Sequence, residues 1–320
     1  LPPFMRIVVV PDCLPRTKPK ALNYAMQLAR GDFVTVFDAE DVPDPQQLRK
    51  AVLAFATGGA NVVCVQASLA IHNARASWLT RQFSLEYSAL FAGLLPALAR
   101  FRLPVPLGGT SNHFRRSFLE AAGGWDPHNV TEDADLGIRI ARRGGLIATI
   151  PSITWEEAPE RLRPWTRQRT RWLKGWMQTY LVHMRSPAKL WRELGTVSFL
   201  AFQALMGGVL LSCLLHPVFY AWMAWEVWTG EFMSASAGPI EQGMMLLAGF
   251  NLVAGFASAM ATAAITAGRA RGLSHVPHVL LMPLYWLLVS FATWRALFQL
   301  AHAPHLWEKT EHKARRKRVG

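Results

Sequence analysis

Phe33-Val34-Thr35-Val36-Phe37-Asp38-Ala39-Glu40-Asp41 is a β-branched and aromatic run that ends in carboxylates at 38, 40 and 41. The run reads as a buried strand with its acids at the carboxyl end. Upstream, Gly31 closes a helix that Thr17 caps and Pro19 begins, with Leu22, Ala25, Met26 and Ala29 along one face. Before that helix, Met5 to Val10 reads as another buried strand. Downstream, Asp44-Pro45 opens a helix to about Ala56, and Asn61 to Gln66 is a third strand. Strand, helix, strand, helix, strand predicts an α/β layered domain with a largely parallel sheet. Sheets of that kind bind ligands at strand carboxyl ends, where Asp38, Glu40 and Asp41 stand.

Arg81 to Leu103 is amphipathic and aromatic, suited either to a membrane surface or to packing on the sheet. Leu107 to Phe114 leads into a helix over Arg115–Ala122 and a Gly-Gly-Trp-Asp turn. Thr131 caps a helix to about Arg143, Gly144-Gly145 closes it, and Ile147 to Ile153 is a last short strand. A basic, Trp-rich helix follows over Pro164–Met184.

The chain has 320 residues, 51% hydrophobic and 17% charged, which excludes a disordered chain and argues against a wholly soluble one. From Gly195 to Glu308 the only charges are Glu226, Glu231, Glu241, Arg269, Arg271, Arg295 and Glu308. Three apolar blocks lie there, Thr196–Trp228, Met244–Ala267 and Val276–Ala301, each reaching the roughly 20 residues that span a bilayer. Three crossings would separate the basic tail Lys309–Arg318 from the soluble domain, against the positive-inside rule. An even number is therefore expected, with the first block broken at His216-Pro217 or the last folded back near Pro283. The net charge of +13 gathers in Arg161–Arg192 and in the tail, beside the membrane segments. No aromatic-basic module accompanies it, so nucleic acid is not an expected partner. Cys13, Cys64 and Cys213 make no metal-type spacing and read as reduced thiols. The start, Leu1-Pro2-Pro3-Phe4, has neither an initiator Met nor a signal peptide, and the chain is expected to begin partway through a domain.

Three clusters carry chemistry. Asp38 and Glu40 at a strand end can converge on one hard cation that binds diphosphate oxygens, or can form a solvated acidic turn. Thr131-Glu132-Asp133 at a helix start can supply a general base, or a cap with favourable acids near the helix dipole. Gln168, Arg171 and Trp172 share a helix face continued by Gly175 and Trp176. They can hold phosphate and a sugar ring, or anchor the helix at an interface.

In order along the chain, Asp38-x-Glu40, Thr131-Glu132-Asp133, Gln168-x-x-Arg171-Trp172 and then membrane helices resemble the membrane-embedded glycosyltransferases of family 2. These are the group of cellulose, chitin, hyaluronan and related exopolysaccharide synthases. Lys18-Pro19-Lys20-Ala21-Leu22-Asn23, Asp41-Val42-Pro43 and Gly108-Gly109-Thr110-Ser111-Asn112 support the resemblance, which covers about residues 5 to 190 closely. It implies a partial GT-A (Rossmann-like, nucleotide-sugar-binding) α/β domain followed by an α-helical transmembrane domain. The boundaries are a cytosolic catalytic domain at 1–163, amphipathic interface helices at 164–194, membrane helices at 195–303 and a basic cytosolic tail at 304–320.

By that resemblance, Asp38 and Glu40 hold Mg2+ or Mn2+ on a nucleotide diphosphate, and Asp133 is the general base. Thr131 and Glu132 stand beside the acceptor. Gln168, Arg171 and Trp172 bind the pyrophosphate and the acceptor sugar, and Lys18 approaches the nucleotide. Trp307-Glu308-Lys309-Thr310 is similar to the short segments that close over the nucleotide in this family, though an interfacial anchor explains it too. The family has Asp where Glu40 stands, and members begin with an earlier strand and membrane helix, so a fragment or a truncated chain is expected. The implied activity is inverting transfer from a nucleotide sugar, a UDP-sugar, to a growing β-linked polysaccharide or lipid-linked acceptor at the bacterial inner membrane. Export or regulatory subunits would be further partners. The rival readings are a non-catalytic membrane component, and a phosphoryl-transfer enzyme with Asp38, Glu40, Asp133 and Asp135 as a two-metal set.

Overall fold

The computed structural model describes residues 2, 4–230 and 238–304. Five strands, β1 (Phe33–Val36), β2 (Val42–Pro43), β3 (Val62–Ile71), β4 (Asn112–Arg115) and β5 (Leu146–Glu156), form one sheet in the order β1-β4-β3-β5-β2. Only β3 and β5 run parallel; the other three pairs are antiparallel. The expected largely parallel sheet is thus corrected to a mixed one. The reason is β4, which starts at the edge where β1 ends and runs back between β1 and β3, with Val36 and Gln66 both opposite Asn112. Met5–Val10 is a second correction: it is not a strand. Ile7 and Val9 lie 77% and 81% exposed, and β1, at the sheet edge, pairs with β4 alone. A β-branched run becomes a strand only where a neighbour takes up its backbone groups.

Helix α1 (Lys18–Met26) follows Thr17, whose hydroxyl donates to the Pro127 carbonyl at 2.9 Å rather than capping the helix. Asn23 fixes α1 to the 123–126 turn, donating to the Trp125 carbonyl at 2.6 Å and accepting from its N–H at 2.9 Å. Helix α2 (Gln47–Thr57) begins after Asp44 accepts the Gln46 N–H at 2.9 Å. It covers one sheet face, packing Ala51 and Phe55 against Val65, Ala67 and Ile150.

On the other face lie α3 (Trp78–Ala89) and α4 (Leu95–Arg100), joined by a π-helical turn at Leu90–Leu94, with α5 (Arg116–Ala121), α6 (Glu132–Arg142) and α7 (Leu162–His183). Ser77 and Thr80 start α3 with a reciprocal capping box, at 3.1 and 3.0 Å. The stretch Arg81–Leu103 lies between two partners. Phe83 and Phe91 join the sheet core, while Leu85 packs on Ala263 and Ala267 of the membrane half. The main core continues without a break into Leu210, Tyr285, Val289 and Ala296.

After α8 (Pro187–Leu194) come α9 (Thr196–Phe202) and α10 (Val209–Thr229), linked by a π-helical stretch, then α11 (Pro239–Arg271) and α12 (Met282–His302). Among the described residues three helical segments are long and apolar enough to cross a membrane: Thr196–Thr229, Pro239–Arg269 and Val276–His302. The first block does not break, while the last changes from a 3-10 helix at Leu273–Leu281 to α12 beside Pro283. Helix α10 runs through Pro217, and Pro283 sits in the first turn of α12, where a missing N–H costs nothing. The basic tail and Trp307–Thr310 lie outside the described residues. All three cysteines are free.

Candidate active site

The site gathers at the edge where β1 and β3 point their carboxyl ends and β4 begins. Lys18, the first residue of α1, reaches across to Asp38: its Nζ donates to the Asp38 carboxylate and, at 2.7 Å, to the Gly109 carbonyl. Burial works to lower the Lys18 pKa, but Asp38, with Glu132 and Asp133 behind it, carries the net shift upward. Asp41 folds back under the turn. Its carboxylate accepts from the Thr110 hydroxyl and, at 3.1 Å, from the Asp38 N–H. Burial lifts Asp41 above the usual carboxylate range, against those two hydrogen bonds. Glu40 lies exposed on the same turn.

The loop 108–111 that enters β4 is held by Gln66. Its side chain accepts from the Gly108 N–H at 2.9 Å and donates to the Thr110 carbonyl at 3.0 Å. Ser111 carries a positive φ of 57°, a conformation that costs a non-glycine residue about 1–3 kcal/mol. Its N–H donates to the Val36 carbonyl at 2.7 Å and its hydroxyl to Thr154 at 2.6 Å, which hold it there. Gly109, two residues before, lies against α6. A Cβ at Gly109 would sit 3.1 Å from Asp133 Oδ2, so glycine is what lets the two approach.

Glu132 and Asp133 open α6. Thr131 occupies the cap position without a side-chain capping bond; its backbone N–H donates to Asn129 Oδ1 at 2.9 Å. Asp133 Oδ1 accepts the Ala134 N–H at 2.8 Å, and Asp133 is half-buried. Burial raises Asp133, against the pull of Lys18 and Arg171. Burial and the neighbouring Asp133 push Glu132 up to about 7. Asp135 turns the other way, accepting from Arg139 at 2.7 Å and facing His183 Nε2 at 3.1 Å. Burial notwithstanding, the His183 hydrogen bond and the Arg139 guanidinium hold its pKa low. With its carboxylate so committed, the two-metal phosphoryl-transfer set loses a member.

Helix α7 lines the third side. A Cβ at Gly175 would come within 3.0 Å of three Thr131 side-chain atoms, so α7 rests directly on the start of α6. Burial lowers the Arg171 pKa against the upward push of Glu132, Asp133 and Asp38. The Gln168 side-chain oxygen is buried with no hydrogen-bond partner. Trp172 stacks on Tyr87, ring centres 6.5 Å apart. Lys18, Asp38, Glu132, Asp133 and Arg171 therefore meet, with Thr131, Gln168 and Trp172 along the same wall.

Sequence reasoning missed Glu156. Pairing of Val42 with Trp155 brings it beside Asp41. Burial, then Asp41 and Asp38, push it up to about 8, and it is hydrogen-bonded with Tyr87. Gln66, Tyr87 and Arg169 were missed too. Arg169 donates twice to Glu86, at 2.6 Å each, and lies 5.0 Å over the Trp172 ring. The position of Glu156 at the end of β5 is the one signal among them; Gln66 stands within β3.

Among the described residues no group of three or more His, Cys, Asp or Glu forms a ready-made metal cage. Asp38, paired with Lys18, and the exposed Glu40 stand on one turn; a hard divalent cation commonly takes one or two carboxylates and completes its shell from substrate phosphates.

Residues 33–303 match a family model described as "Glycosyl transferase family group 2". The chain is 30% identical over 192 residues to a probable glycosyltransferase, YdaM, of Bacillus subtilis (strain 168), a match covering 59% of this chain and 46% of that protein. It is 30% identical over 164 residues to probable glucomannan 4-beta-mannosyltransferase 1 of Arabidopsis thaliana, 51% of this chain and 28% of that protein. It is 31% identical over 202 residues to a beta-monoglucosyldiacylglycerol synthase of Synechocystis (strain ATCC 27184 / PCC 6803 / Kazusa), 59% of this chain and 40% of that protein. The chain thus spans less than half the length of these curated relatives. A solved mannosyltransferase from Pyrobaculum calidifontis, in complex with GDP-Man and Mn2+, aligns at 19% identity and TM-score 0.49, over 84% of this chain and 67% of that one.

Proposed function

The chain belongs to glycosyl transferase family group 2, and from that premise we propose that it transfers a sugar from a nucleotide-sugar donor, a UDP-sugar, to an acceptor hydroxyl with inversion at the anomeric carbon. The observation that carries this reading is Asp133: a half-buried carboxylate raised in basicity, against Gly109, with Lys18 and Arg171 beside it. Asp133 takes the acceptor proton as the acceptor oxygen bonds to the anomeric carbon. The bond from that carbon to the diphosphate oxygen breaks, and the diphosphate leaves with the electron pair. Lys18 and Arg171 face the negative charge that develops on the diphosphate. Asp38 and Glu40 would hold a Mg2+ or Mn2+ ion, which supplies further charge neutralisation when bound.

The buried Gln168 oxygen supports an acceptor or sugar hydroxyl as its partner, since a buried acceptor without a donor is costly. The Trp172 ring supports a sugar face stacked upon it. A polysaccharide end is the acceptor we favour. A lipid acceptor is the second reading, favoured by the packing of α3 and α7 against the apolar helices α11 and α12. Both agree with a multi-pass bacterial inner-membrane protein whose catalytic domain faces the cytosol.

The test is nucleotide release by the full-length protein in membranes with magnesium, across a panel of UDP-sugars. Release that Asp133→Asn abolishes supports the reading and identifies the donor. No release with any nucleotide sugar, from protein that is folded, removes it.

A further inference from the structure

Helix α12 differs from its neighbours in how it is held. At its start, Tyr285 donates to Glu86 Oε2 at 2.8 Å and accepts from Arg169 at 2.9 Å and from Trp165 Nε1 at 3.3 Å. At its end, the fully buried Lys174 donates to the Ala303 carbonyl at 3.3 Å, and Gln178 donates to the Pro304 carbonyl at 2.9 Å. Trp165, Arg169, Lys174 and Gln178 all belong to α7. Between the two anchorages α12 rises about 27 Å and α7 about 20 Å, so the helices run side by side. The small residues Ser290, Ala292, Thr293 and Ala296 of α12 are all buried.

A helix that crosses a bilayer must set its ends about 30 Å apart along the membrane normal. Helix α12 could do so only if α7 went with it. Yet α7 carries Arg163, Arg167, Arg169, Arg171 and Lys174, and it forms one wall of the active site. Cations in such number are not accommodated in hydrocarbon. The outward face of α12 nevertheless bears Leu284, Phe291 and Phe298, each more than half exposed, while Trp294 donates to the Leu214 carbonyl of α10 at 3.2 Å. A helix with one face on protein and an apolar face outward suits the boundary between headgroups and acyl chains.

We propose that α12 lies in the interfacial layer of the bilayer with its outer face against lipid, and that only α10 and α11 cross. The chain then leaves α12 at Pro304 on the side of the catalytic domain. Charge agrees independently: six Lys and Arg follow residue 304, and nine lie between 161 and 192, which the positive-inside rule sets on one side. Helix α11 makes the contrast, because its most apolar window buries none of its residues in the protein.

Membrane-impermeant maleimide, applied to sealed vesicles of each orientation, tests this in the full chain. Native Cys13, exposed on the catalytic domain, marks that side; Cys64 is buried. In a Cys13→Ser background, His302→Cys is expected to label in the orientation that labels Cys13, with loss of labelling in the other. Thr229→Cys at the far end of α10 should behave oppositely. Ala301→Cys is the replacement if His302→Cys does not fold. Labelling of position 302 or 301 together with Thr229→Cys, or of all three positions from one side, overturns the proposal.

Discussion

Two sets of carboxylates meet at the site from opposite sides, and their surroundings differ in kind. The strand-end set is tethered: Asp38 by Lys18, Asp41 by Thr110 and the Asp38 N–H. The helix-start set, Glu132 and Asp133, is more enclosed, and burial raises both, as it also raises Asp41. A carboxylate fixed beside an ammonium is suited to gathering charge. One that holds a proton more tightly is suited to taking a proton away. In the proposed reaction the same functional group would thus serve two jobs, divided by burial and by hydrogen-bond donors.

The comparison predicts two distinguishable failures. Asp133→Asn should lower kcat about 10²–10⁴-fold, the range for loss of a general base, with donor binding kept. Measured turnover and donor affinity together check this; equal loss in both would merge the two roles. Lys18→Ala should instead raise donor KM, about ten- to a hundredfold for a lost hydrogen bond to a charged group, with a smaller change in kcat.

The pH profile sharpens the same contrast. A base raised by burial is protonated, and inactive, at pH values where an ordinary Asp already works. Activity should therefore fall at a higher pH than an ordinary Asp base would give, because burial raises Asp133. Glu132→Gln removes the group that titrates at about 7 beside Asp133 and should move that acid limb downward. A limb unmoved in the variant would separate Glu132 from the base. The smallest effect concerns stability. Glu156 binds its proton more tightly folded than unfolded, so the native state loses stability as pH climbs from 4.5 to about 8. Glu156→Gln should leave Tm unchanged near pH 5 and raise it near pH 8.5, as read by thermal denaturation in detergent.

Residues at element boundaries were legible in the sequence. Lys18, Asp38, Asp133 and Arg171 stand where strands end, helices start or a helix face repeats, and such positions are set by local pattern. Glu156 and Tyr87 were not legible, because their neighbourhood depends on the pairing of Val42 with Trp155 and on how α3 meets α7. Neither the reversed direction of β4 nor the failure of Met5–Val10 to form a strand could be read from β-branching, which reports suitability for a sheet and not the presence of a partner. The three apolar blocks were read correctly by length. What length could not convey is that Tyr285 and Ala303 both rest on one cationic helix.

Gly175 has a practical consequence for anyone recombining such enzymes. Because α7 touches Thr131 where a side chain on residue 175 would stand, the two motifs cannot be exchanged as separate cassettes. A chimaera that imports a foreign Gln-x-x-Arg-Trp helix must carry a compatible residue at 131, and one that imports a foreign Thr-Glu-Asp must keep glycine at 175. The unit of exchange is the pair of helices.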